Sequence, residues 1–211
     1  MNILAIVGSY RKGRTIDTLV DKAIDGAQSA SDISVNKLQL VEKHIEYCKN
    51  CMACRNDGES EGRAACVISD DMEAIYTMVD EADGYIFGTP VNMGNVTAVM
   101  KTFLERLCWV FAKPGTWPLA GCPTPRTTRD KAAIIIVASG IVRPLLRRWC
   151  DDATPLIKSV CTCSLNAKVV GDLYAGAVEK RGTETYVDKA FKLGKRLATR
   201  CQQHAIGETR Q

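Results

Sequence analysis

The chain has 211 residues, of which 46% are hydrophobic and 25% charged, with a formal net charge of +4. That length suits one large domain able to bury on the order of 70% of its unfolded surface, so neither a metal nor a disulfide is required for stability. The basic excess forms no run of like charges, and no segment approaches the ~18 apolar residues of a membrane helix, which argues against nucleic acid and membrane as partners.

No basic lead precedes the first apolar run, so the expected compartment is the cytoplasm, where the ten cysteines are expected to stay reduced or bind metal. That run, Asn2 to Val7, leads into Gly8-Ser9-Tyr10-Arg11-Lys12-Gly13-Arg14-Thr15. Apolar residues then fall at Ile16, Leu19, Val20, Ala23, Ile24 and Ala27, the spacing of a helix with one face on a sheet. A loop between a buried strand and a helix N-terminus offers unpaired amides and the positive end of the helix dipole, which together hold an anion. Ser9 and Thr15 add hydroxyls, and Arg11, Lys12 and Arg14 add charge. The same stretch fits a triphosphate-binding loop except that Arg14 stands where lysine belongs. Neither Gly84 to Gly88 nor Ile134 to Ala138 ends in the carboxylate that magnesium would need, so a triphosphate enzyme is disfavoured.

Ile33 to Leu40 alternates as a half-buried strand, and residues 41–69 form a loop without clean period. Ser69-Asp70-Asp71 offers a cap and an acidic first turn to a second helix marked by Met72, Ile75, Val79 and Ala82. Gly84 to Gly88 is short and apolar, like a central parallel strand, and runs into Thr89-Pro90-Val91-Asn92-Met93-Gly94-Asn95. A third helix follows on Val96, Val99, Met100, Phe103 and Leu107; its Glu105 and Arg106 are expected to be a solvated pair. The prolines 114, 118, 123 and 125 exclude long regular structure from Trp109 to Arg129, which reads as an excursion. Ala132 to Ala138 is a buried strand ending in Ser139-Gly140. An irregular helical stretch through Trp149, a strand near Ala167 to Tyr174 and a helix from about Thr185 to Cys201 complete the chain.

Alternating strands and helices predict an α/β fold, a doubly wound five-stranded parallel sheet with helices on both faces. Ligands of such sheets lie beyond the carboxyl ends of the strands, where the strand order switches. Three loops qualify: residues 8–15, 88–95 and 138–140.

These residues resemble the flavodoxin-like NAD(P)H-dependent FMN reductase family, including its iron-sulfur flavoprotein branch. The marks are Gly8-Ser9-x-Arg11-Lys12-Gly13, Asp70-Asp71-Met72, Ala82 to Val91 leading into Gly94-Asn95-Val96, and Met100-Lys101-x-Phe103-Leu104-Glu105-Arg106. The resemblance implies a single flavodoxin-like FMN-binding domain over residues 1–211, with a cysteine-rich loop at about 47–67 and a proline-rich excursion at about 109–129. It implies that Ser9, Arg11 and Thr15, with Lys12 and Gly13 in the same loop, hold the FMN phosphate. Thr89, Pro90, Val91, Asn92, Met93, Gly94 and Asn95 would line the ring, and Ser139 and Gly140 would close its other edge. Asn92 stands where the family often has an aromatic residue, and the first loop is one residue shorter than the commonest form.

Cys48, Cys51, Cys54 and Cys66 admit three readings: ligands of a 4Fe-4S cluster, a tetrahedral zinc site, or small packed residues. Cys108, Cys122, Cys150, Cys161, Cys163 and Cys201 show no ligand spacing. His44 and His204, the two histidines, sit in no pattern with a nucleophile and an acid, which argues against a hydrolase triad. The resulting expectation is an oxidoreductase that passes electrons from NAD(P)H through FMN to a small-molecule or protein acceptor, as a homodimer by resemblance. Its alternatives are an iron-sulfur flavoprotein exchanging electrons with a ferredoxin-like partner, and a flavin-binding redox sensor without turnover.

Overall fold

Strand β1 (Asn2–Val7) shows how this sequence builds two cores at once. Leu4 and Ile6 enter one apolar cluster while Ile3, Ala5 and Val7 enter another, because successive side chains of a strand point to opposite faces. Residues buried on both faces must be apolar throughout, which is why the central strands read as continuous hydrophobic runs. The structure, a computed structural model, describes residues 1–58, 60, 62–115 and 122–208, with side chains described as far as 203.

The other elements are helix α1 (Thr15–Gln28), β2 (Ser34–Gln39), α2 (Ala53–Asn56), α3 (Met72–Glu81), β3 (Gly84–Pro90) and α4 (Ala98–Phe111). The two-residue strands β4 (Ala112–Lys113) and β5 (Thr124–Pro125), then β6 (Lys131–Ala138), α5 (Arg147–Cys150) and α6 (Ala153–Cys163) follow. β7 (Ala167–Ala175), α7 (Val178–Arg181) and α8 (Val187–Glu208) complete the order. Five strands form one parallel sheet in the order β2-β1-β3-β6-β7. α3, α4 and α6 cover one face; α1 and α8 cover the other. The doubly wound architecture expected from the sequence is therefore present, and its order reverses between β1 and β3.

Four expectations need correction. Helix α4 carries the apolar stripe through Phe111, so Trp109 is helical, and the excursion starts later. Its residues 116–121 lie outside the described residues. Cys122 and Cys163, 41 residues apart, form a disulfide, so the cysteines do not all remain reduced. The pairing exists because the returning excursion meets the end of α6, a tertiary contact that spacing along the chain cannot show. The loop expected from 41 to 69 contains the short helix α2, entered through Asn50 and Met52 in the left-handed region. Finally, Arg106 is 3% exposed and pairs with Asp70, whereas Glu105 pairs with Lys101 at the surface. Arg106 shares the buried stripe of Phe103, Leu107 and Val110, so it had to find an internal partner.

Candidate functional site at the carboxyl edge of the sheet

Beyond β1 the backbone passes close against α4 because Gly8 has no side chain: a Cβ there would lie 2.7 Å from the Cβ of Met100. This lets the loop descend against α4, where Thr97 Oγ1 donates to Gly8 O at 2.6 Å. The same hydroxyl accepts from Met100 N at 3.3 Å, capping α4. Thr97 thus ties the first loop to the element following β3, a role the sequence did not suggest.

At α1 the situation is the reverse. The N-cap residue Arg14 makes no side-chain capping hydrogen bond, which leaves first-turn amides for an external acceptor. Ser9, Arg11, Arg14 and Thr15 line a cavity of about 250 Å³ there, with Ile16, Pro90, Ala138, Gly140, Val178 and Glu179 around the remainder. Ser9 is buried, and its Oγ accepts from Arg11 N at 3.2 Å, fixing the turn. Thr15 Oγ1 lies 3.0 Å from the hydroxyl of Thr183. Arg11 and Arg14 form no ion pair among the described residues. Two cations and an uncapped helix N-terminus fit a phosphate group.

Of the residues proposed from the sequence, Ser9, Arg11, Thr15, Pro90 and Gly140 meet at this cavity. Lys12 does not: it turns outward to pair with Glu42. Gly13 gives its amide to Asp17 Oδ2 at 2.6 Å. Burial by itself would raise the Asp17 carboxyl, but Lys37, the Gly13 amide and Gln39 outweigh it and hold the group below the usual range. Thr89 is fully buried and donates to Pro90 O. Val91 N donates to Ala138 O at 2.8 Å, and Asn92 and Asn95 bond each other through their backbones. Ser139 Oγ accepts from Val142 N at 3.2 Å. These residues shape the rim rather than the cavity wall. Met93, in the left-handed region at φ 48°, projects into solvent, and Gly94 at φ 80° accepts from Asp152 N through its carbonyl.

Arg14, which the sequence offered only as added charge, joins the lining, and Val178 and Glu179 were missing from the sequence-based site. The latter two arrive from α7, whose N-cap Ala177 is also left-handed, and whose first amides donate to Ser139 O and Gly140 O. Of the five non-glycine residues with positive φ among the described residues, Met93 and Ala177 flank this site and Asn50 and Met52 lie in the cysteine loop. Strain of this kind costs on the order of 1–3 kcal/mol per residue and gathers where geometry is over-determined.

The cysteine loop forms a second constellation. Cys48, Cys51, Cys54 and Cys66 line one small cavity with Arg55, Arg106 and Trp109. Burial, then the neighbouring thiols of Cys66 and Cys48, push the Cys54 thiol up. Arg106 Nη2 lies 3.6 Å from Cys66 Sγ. Thiolate chemistry suits iron or zinc, yet among the described residues no three such groups are placed to hold a metal ion. The cavity they share is about 30 Å³. As arranged, the loop does not fit a cluster. His44 is exposed beside Glu46, and the side chain of His204 lies outside those described. No helix among the described residues is long and apolar enough to cross a membrane.

Residues 1–179 match the family described as NADPH-dependent FMN reductase. An iron-sulfur flavoprotein of Archaeoglobus fulgidus is 36% identical over 107 residues, which cover 51% of this chain and 46% of that protein. The chain spans about half the length of the curated relatives it matches. Among solved structures, a flavone reductase superimposes with TM-score 0.68 at 20% identity, over 96% of this chain and 63% of the other. An FMN-dependent NADH-azoreductase from Bacillus anthracis in complex with FMN gives 0.63 at 11% identity, over 95% and 99%. At such identities the structural likeness establishes the fold alone.

Proposed function

Because the chain belongs to the NADPH-dependent FMN reductase family, we propose that it is an FMN-dependent oxidoreductase drawing electrons from NAD(P)H for a small-molecule or protein acceptor. The observation that carries this reading is the uncapped N-terminus of α1, facing a cavity with Ser9, Arg11, Arg14 and Thr15. Those groups would hold the phosphate, the arginines by charge and Ser9 and Thr15 by hydroxyl. Pro90 and Gly140, from the ends of β3 and β6, would border the ring. Glu179, the carboxylate among the lining residues, favours a ligand whose other end carries an N–H donor over one with a second anion. The bound flavin would supply the hydride and electron chemistry, and the protein its position and electrostatic surroundings.

Protein loaded with FMN and mixed anaerobically with NADPH or NADH should lose its flavin absorbance and regain it when an acceptor is added. Failure with both nicotinamides would leave a flavin-binding module without turnover. A second reading, an iron-sulfur flavoprotein exchanging electrons with a ferredoxin-like partner, is favoured by the four cysteines on one cavity. It requires the loop to open around a cluster. Iron and labile sulfide in anaerobically purified protein decide it, independently of flavin content.

A further inference from the structure

The opposite end of the sheet carries the larger opening. A groove of about 530 Å³ runs beside the start of β7 and joins one of about 400 Å³ through Lys168, Val169 and Arg200. Lys158 and Thr162 of α6 form one wall; Arg196 and Arg200 of α8 form the other. β7 is an edge strand, so the groove lies along its free side. Five cationic side chains line the two parts, against the carboxylate of Asp130.

These cations differ in how fully they are engaged. Lys158 pairs with Asp172 at 2.7 Å, and Asp172 is shared with Arg147. Lys131 is buried and donates to Val79 O, Asp80 O and Tyr85 Oη, so it contributes field rather than contact. Lys168, Arg196 and Arg200 form no ion pair among the described residues. The Nε of Arg200 is buried and finds no hydrogen-bond partner among the described residues, a donor whose desolvation none of them offsets. Burial, and after it the Arg129 guanidinium, push the Lys131 ammonium down to about 8, consistent with a positive field at this end of the sheet.

Basic residues on an edge strand also serve to discourage pairing with another chain, and the irregularity at Val170, where Ala133 pairs with Val169 but Ile134 with Gly171, does the same. A guard of that kind explains Lys168. It does not explain the unpartnered Nε of Arg200, two guanidinium groups on the α8 wall, or a groove within the ~300–1,000 Å³ range of ligand sites. Among the described residues the wall contains no aromatic ring on which a base could stack. We propose that this groove is a second ligand site, remote from the carboxyl-edge cavity, that binds a small polyanion carrying two or more phosphate groups. Arg196, Arg200 and Lys168 make the contacts, and the joined openings receive successive phosphates.

The test uses FMN-saturated protein, so that the phosphate cavity at α1 is blocked, titrated calorimetrically at fixed ionic strength with tripolyphosphate, ATP and orthophosphate. Tripolyphosphate should bind with one site per chain, ATP no more tightly, and orthophosphate at least tenfold more weakly. Arg200→Gln, and separately the exposed Lys168→Gln, should each weaken tripolyphosphate roughly tenfold or more while flavin content stays unchanged. Equal affinity for orthophosphate and tripolyphosphate, or binding unaltered in both variants, would overturn the site. Binding of ATP much tighter than tripolyphosphate would overturn the polyphosphate assignment, because the base would then be contributing.

Discussion

Arg106 Nη1 lies 2.5 Å from Asp70 Oδ2, and Nη2 lies 3.1 Å from Oδ1, so a guanidinium on α4 grips a carboxylate ahead of α3 with both prongs. Both side chains are almost fully buried. Arg106 also donates to Glu46 O, while Asp70 accepts from Glu46 N and Met72 N. The pair therefore pins the two ends of the cysteine loop, at Glu46 and Asp70, to α4. Removing one partner strands a buried charge, which typically costs about 3–5 kcal/mol.

Asp70→Asn should accordingly lower the unfolding free energy by about that amount in urea titrations at pH 7. A loss under 1 kcal/mol would mean that water reaches Arg106. The variant should also flatten the acid limb. Burial alone would raise the Asp70 carboxyl, but Arg106 and the amides of Glu46 and Met72 hold it lower in the folded state than in the unfolded chain. Its stabilisation is then present above the ordinary pKa of 3.8 and disappears as pH falls through the folded value.

Lys131 has the opposite sign. Its folded pKa of about 8 lies below the ordinary 10.5, so between those values the unfolded chain binds more protons, and stability from this group rises with pH. Burial pushes Tyr85, Cys161 and Cys201 above their ordinary values, so the unfolded chain loses their protons over the same alkaline range, and the informative quantity is the difference between two proteins. Wild type minus Lys131→Met should gain stability from pH 8 to 10.5, measured by urea unfolding at each pH. A flat difference would show the ammonium to be fully compensated by its carbonyl partners.

The Cys122–Cys163 disulfide closes a loop with a sequence separation of 41, for which chain entropy gives about 4 kcal/mol. It acts close to Arg126, which donates to Cys54 O and Ser60 O of the cysteine loop and, through Nε, to Ala112 O. Cys163→Ser should lower the unfolding midpoint and speed amide exchange in residues 54–60. Non-reducing peptide mapping of the wild type should find the linked peptides; their absence would remove the basis of this expectation.

The sheet was legible because central parallel strands are buried on both faces, which makes Ile3 to Val7 and Ala132 to Ala138 uniformly apolar. The strand-to-helix loop after β1 was legible too, since the change from strand to helical period at Thr15 marks a helix start. What escaped was direction and tertiary partnership. Lys12 and Arg14 look alike in the chain, but Glu42 draws one outward while the other borders the cavity. Glu179 comes from an element after the last strand, and Cys122 meets Cys163 only through folding of the excursion. Arg106 could have been found: its place between Phe103, Leu107 and Val110 on one helical face already requires a buried cation with a partner.

The central claim is that the carboxyl-edge cavity holds a flavin by its phosphate, and parallel titration of apoprotein with FMN and riboflavin tests it most directly. Arg11→Ala should weaken FMN by about 1.5–3 kcal/mol, the worth of a charged hydrogen bond, and leave riboflavin nearly unchanged. Lys12→Ala, whose side chain faces Glu42, should change neither. Equal losses for both flavins in Arg11→Ala, or an FMN-selective loss in Lys12→Ala, would contradict the account.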